Sequence, residues 1–95
     1  MFDVKIYLEG NKVIGEFIAD SYFFDPSKYE YAFYLCQNDQ KVKKQLYSKN
    51  MNVVFDLDDM SGEFYIRAFV KDLEIGNKRA YNSEKIIKNI GGVSK

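Results

Sequence analysis

The feature that most limits what this chain can become is a two-residue alternation of apolar side chains, repeated segment after segment. Tyr29, Tyr31, Phe33 and Leu35 share one face, with Glu30, Ala32, Tyr34 and Cys36 on the other. Phe64, Ile66, Ala68 and Val70 alternate with Tyr65, Arg67, Phe69 and Lys71. Val4, Ile6 and Leu8 repeat the pattern near the start, and Met51, Val53, Phe55 and Leu57 repeat it in the middle. Successive strand residues point to opposite faces, so each segment reads as a half-buried strand. No segment of useful length carries a 3.6-residue period, and internal repeats are absent.

Turn chemistry falls between these segments. Glu9-Gly10-Asn11-Lys12 joins the first strand to a second at Val13 to Ala19, which predicts a β-hairpin. Gly15 inside that second strand predicts a bulge or a close backbone approach. Residues 20–28, broken by Pro26, read as a connection between sheets, with Phe23 or Phe24 folded back as a core plug. Gln37-Asn38-Asp39-Gln40 turns the strongest strand into Lys41 to Tyr47, a polar segment whose lysines suit an edge. Further turns fall at Ser48-Lys49-Asn50, at the corner 58–62 and around Gly76-Asn77, and Arg79 to Ile90 is expected as the last strand. The expectation is an all-β, two-sheet antiparallel sandwich of about seven strands over residues 1–90, with residues 91–95 a linker-like tail.

Composition agrees with one such domain. The 95 residues are 46% hydrophobic and include eight Tyr and eight Phe, which favour pleated, half-buried surfaces. Lys plus Arg equals Asp plus Glu, at 14 each, so the long-range attraction that nucleic-acid or anionic-membrane binding relies on is missing. No window approaches the roughly 18 apolar residues of a membrane span. Neither a nucleic-acid partner nor membrane insertion is expected. The run Lys41-Val42-Lys43-Lys44 with Tyr47 superficially resembles a nucleic-acid patch, but its edge setting reads as a solvated, anti-aggregation face. A lone cysteine permits no internal disulfide, and the first residues lack a signal-peptide pattern. These two features favour the cytoplasm; an excised extracellular domain fits them as well.

Catalytic machinery is hard to find in the chain. Histidine, the commonest general base and metal ligand, does not occur, which removes Ser-His-Asp and Cys-His catalysis. Cys36 has an acid, Asp39, as its nearest charged neighbour in sequence, and reads as a small apolar residue beside the core. Asp56, Asp58, Asp59 and Glu63 form a carboxylate cluster. An EF-type calcium loop needs glycine at its sixth position, where this one has Ser61. A looser calcium site at these four acids is the alternative to a solvated corner capped by Asp58 or Asp59. The expectation is a protein that is not an enzyme and takes no cofactor. Tyr29, Tyr31, Phe33, Phe55 and Phe64 are assigned to the core, centred on Tyr31, Phe33, Phe64 and Ile66. Tyr34, Tyr65 and Phe69, with Arg67 between the last two, alternate outward on neighbouring strands. An exposed strip of that kind docks on a protein (a neighbouring domain or a second copy) or stacks on the sugar rings of a glycan.

Several of these residues carry a family resemblance. Tyr29-Glu30-Tyr31-Ala32-Phe33-Tyr34-Leu35, then Leu57, then the stretch from Gly62-Glu63-Phe64 to Phe69-Val70-Lys71-Asp72 resemble the pattern of triple tyrosine (three-Y) domains. These are bacterial sandwich domains related to the immunoglobulin and fibronectin type III folds. Leu46-Tyr47 replaces the usual tryptophan, Phe64 the corner tyrosine, and Ser61 the proline before the closing glycine. The resemblance covers about sixty residues and implies a non-catalytic accessory module of a larger bacterial protein, such as a sensor, a cell-surface protein or a polysaccharide-synthesis glycosyltransferase. It implies protein–protein interaction, or carbohydrate binding, through the outward aromatics.

Overall fold

The computed structural model of the chain describes residues 2–19 and 24–89. Phe23, Ile90 and the expected tail lie outside them. The described residues form eight strands: β1 (Phe2–Glu9), β2 (Lys12–Ala19), β3 (Tyr29–Gln37), β4 (Gln40–Ser48), β5 (Asn52–Asp56), β6 (Gly62–Asp72), β7 (Lys78–Asn82) and β8 (Ile86–Lys88). A short 3-10 turn over Pro26–Lys28 precedes β3. One sheet has the order β1-β2-β5; the other runs β4-β3-β6-β7, with β8 also on β6, and all pairs are antiparallel. The two sheets make the expected all-β sandwich.

The turns follow from their residues. Gly10, at φ 59°, takes the left-handed position of the tight β1–β2 turn. The β3–β4 turn puts Asn38 (φ 54°) and Asp39 (φ 62°) both at positive φ, the requirement of a type I′ hairpin, and these two residue types tolerate it well. Before β3, the Asp25 carboxylate accepts hydrogen bonds from the Ser27 backbone N–H and hydroxyl.

Alternation puts the core where the sequence places it. Tyr31, Phe33, Phe64 and Ile66 are fully buried, together with Leu35, Leu57 and Val13. Phe55 is buried, while Tyr29 is half-buried at the rim, its ring stacked on Phe24 at 4.8 Å. Phe24 packs on the core and meets Phe2 edge-on at 5.4 Å, so it fills the plug role. Each large side chain so buried contributes about 1.5–3 kcal/mol over its exposed state.

Gly15 marks a close approach and not a bulge. The β1–β2 register runs unbroken through Ile6↔Gly15. A methyl group on Gly15 would lie 3.0 Å from Ile66 Cδ1, across the sandwich, and 3.0 Å from Val53 Cγ1, on the adjacent strand.

The final strand departs from expectation. The segment expected to run unbroken from Arg79 is split into β7 and β8, which makes eight strands where about seven were expected. β6 pairs Arg67 with Asn82 on one side of the gap and Phe64 with Ile86 on the other, so one extra residue is accommodated between them. Ser83 holds the break together. Its N–H donates to the Ile66 carbonyl, and its hydroxyl oxygen accepts from the Ile66 N–H at 2.8 Å, in place of a backbone carbonyl. Among the described residues no helix is long and apolar enough to cross a membrane.

Candidate functional site

The outer face of the five-stranded sheet gathers the outward aromatics named from sequence. The β3–β6 register sets Tyr34 opposite Arg67, Ala32 opposite Phe69 and Cys36 opposite Tyr65. Tyr34 and Phe69 meet edge-to-face with centroids 4.8 Å apart. Arg67 leans over the Phe69 ring at 5.5 Å and donates from Nη1 to Asn82 Oδ1 at 3.0 Å. The Tyr65 hydroxyl reaches Asp39 at 3.5 Å. All four candidate residues are half-buried, and the small side chains Ala32 and Cys36, paired opposite Phe69 and Tyr65, are buried among them.

Three residues that alternation alone does not put there, Lys41, Tyr47 and Lys78, join this face. Lys41 sits over the Tyr34 ring at 4.9 Å, and Tyr47 lies under Lys71 at 4.8 Å and near Lys78 at 5.9 Å. Uniform alternation along β4, counted from the Tyr34↔Lys44 pair, would turn Lys41 and Tyr47 to the inner side. Two register shifts, between the pairs of Tyr31 and Phe33 and between those of Leu35 and Cys36, bring both residues outward. The same shifts split the lysine run. Lys41 and Lys44 stay on the outer face, while Lys43 turns inward and across to the other sheet, bonding the Asp56 carbonyl and Asp58 Oδ2.

The face has a charge bias that the neutral total conceals. Lys41, Lys44, Arg67, Lys71 and Lys78 are set against three acids, Glu30, 3.7 Å from Lys71, Asp39 and Glu63. The outer face of the three-stranded sheet leans the other way: Asp3, Glu9, Glu16 and Asp56 outnumber Lys5 and Lys12. A row of Tyr7, Ile14 and Val54 crosses that second face, one residue per strand.

The remaining candidates make the following contacts. Cys36 is buried, and burial pushes its thiol pKa up while neighbouring Tyr65 and Arg67 pull it partly back. That is the opposite of an activated nucleophile. The carboxylate cluster is tied down as a corner: Asp56 Oδ1 accepts from the Asp58 N–H at 2.9 Å and from the Asn11 side-chain amide at 3.3 Å, and Asp58 pairs with Lys43 at 2.7 Å. Glu63 points instead toward Lys85, at 3.9 Å, and Asp59 is exposed. Among the described residues no three acidic or cysteine side chains converge on one point. Asp58 holds φ 55° in this corner, a left-handed value that aspartate tolerates and that its hydrogen bonds sustain.

No protein-family model, curated protein or solved structure matches this chain.

Proposed function

We propose that this domain is a non-catalytic interaction module of a larger bacterial protein, built on the three-Y, fibronectin type III-like plan. It docks through the outer face of its five-stranded sheet onto an acid-bearing protein surface. The strand order supports the plan. The first, second and fifth strands make one sheet, and the fourth sits beside the third, where an immunoglobulin constant-type domain would place it beside the fifth. A polysaccharide-synthesis glycosyltransferase is the kind of host that the motif resemblance implies.

The single observation that carries the docking reading is the layer of cations on aromatic ring faces: Lys41 on Tyr34, Arg67 on Phe69, Lys71 on Tyr47. Rings so covered offer less bare surface for stacking on a sugar, while the cations are held ready to meet carboxylates. A broad sheet face suits a protein surface better than a small ligand, which needs a concave site.

The test is a titration of the 15N-labelled domain, followed by NMR. One arm uses a glutamate-rich peptide, another a panel of neutral and anionic glycans. Shifts confined to Tyr34, Lys41, Tyr47, Arg67, Phe69 and Lys71 in the peptide arm, and abolished by Arg67→Glu with Lys71→Glu, bear the proposal out. The same shifts in the glycan arm alone turn the face into a carbohydrate-binding one. Silence in both arms removes the face as a binding surface.

A further inference from the structure

A sandwich has four edge strands, and three of these are protected against pairing with another chain. β4 carries two register shifts and three lysines, β5 is only five residues long, and the β7–β8 edge is broken at Ser83. β1 is different. It runs for eight residues, has an unbroken register with β2, and pairs with no other strand among the described residues. The Val4 N–H is satisfied by its neighbour's side chain, Asp3 Oδ1 at 2.8 Å, so it faces away from β2. By the two-residue period, the backbone groups of Ile6 and Leu8 face the same free edge. A groove of about 310 Å³ is lined by the five consecutive residues Asp3, Val4, Lys5, Ile6 and Tyr7, with Glu84 opposite. Side chains from both faces of one strand line the same groove only where that groove runs along the strand's edge.

We propose that the occupant of this edge is β1 of a second copy, paired antiparallel about a two-fold axis through Tyr7. The outward backbone groups at even positions allow only registers centred on a residue. Centring on Lys5 sets two lysines against each other, and centring on Ile6 sets Asp3 against Glu9. Centring on Val4 pairs Asp3 with Lys5 but leaves Tyr7 and Leu8 uncovered, at 45% and 39% exposed. Centring on Tyr7 sets Lys5 against Glu9 twice, Ile6 against Leu8 twice and Tyr7 against its own copy. The row Tyr7–Ile14–Val54 then continues across the axis as Tyr7–Ile14–Val54 of the second copy, within one six-stranded sheet. The complementary charges and the covered apolar side chains select this partner and this register. The surface lies on the opposite sheet from the basic aromatic face and stands independently of it.

Sedimentation velocity between about 10 µM and about 1 mM is the first measurement, since a dimer's population rises with concentration. The wild-type mass should move from one chain toward two. Lys5→Glu should weaken the association about tenfold, and Lys5→Glu combined with Glu9→Lys should restore it. Circular dichroism on dilute samples separates a folding defect from lost association. Tyr7→Cys supplies the register readout. Directly opposed residues of a non-hydrogen-bonded pair lie within disulfide reach, so mild oxidation should link Tyr7→Cys chains but not Lys5→Cys chains. A wild type that stays monomeric over the whole range overturns the proposal. So does a dimer that ignores Lys5→Glu and leaves Tyr7→Cys chains unlinked.

Discussion

At the residue scale, Tyr31 shows how one buried phenol ties stability to pH. Its side chain is fully buried and its hydroxyl donates to the Pro26 carbonyl at 3.2 Å. Burial, with Tyr29 and Asp25 nearby, pushes its pKa up to about 12. The unfolded chain ionises the phenol near its ordinary value of 10.0, while the folded chain keeps the proton. The unfolded state therefore binds fewer protons over that window. Stability should be full below pH 10 and fall as pH rises from there toward about 12. Tyr31→Phe should cost about 1 kcal/mol at neutral pH through the lost hydrogen bond, and should flatten the alkaline slope. Urea melts at neutral and alkaline pH measure both effects. Tyr7, Tyr47 and Tyr65 are shifted in the same direction, so a smaller slope should survive the substitution.

At the element scale, β1, β3, β5 and β6 were legible because each alternates cleanly, and the central residues Tyr31, Phe33, Phe64 and Ile66 follow from that alone. The bulges were not legible. A register shift is a property of two paired strands, so the sequence reads the Lys41–Lys44 run and Tyr47 as one solvated edge and does not divide it between the two faces of the sheet. The break before β8 was hidden for a related reason, since a serine hydroxyl takes over a backbone carbonyl's role at Ile66. Ser83→Ala removes that acceptor from a part-buried N–H and should cost about 1–3 kcal/mol, measured by chemical denaturation. Ser83→Thr, which keeps the hydroxyl, should lose much less. Gly15 makes a second test. Gly15→Val pushes a branched side chain into Ile66 and Val53, both already 3.0 Å from where its Cβ would lie. The expected cost is about 1–3 kcal/mol by overpacking, and the double variant Gly15→Val with Ile66→Ala should lose less than the sum of the two single costs.

At the scale of the whole molecule, equal numbers of acids and bases do not mean an even field. The basic residues of the β4-β3-β6-β7 face and the acids of the β1-β2-β5 face lie on opposite outer surfaces of the sandwich. At neutral pH and low salt, this chain of zero net charge should be retained by both cation and anion exchangers. Reversing Arg67 and Lys71 to Glu should abolish retention on the cation exchanger alone, and salt at about 0.15 M should weaken both modes as screening shortens to about 8 Å. Two faces of opposite sign also make the molecule a dipole, with its axis running through the sandwich from one sheet to the other. Beside any charged wall such a body turns before it touches, so the same sheet leads each approach and the free edge of β1 is left pointing sideways, along the wall.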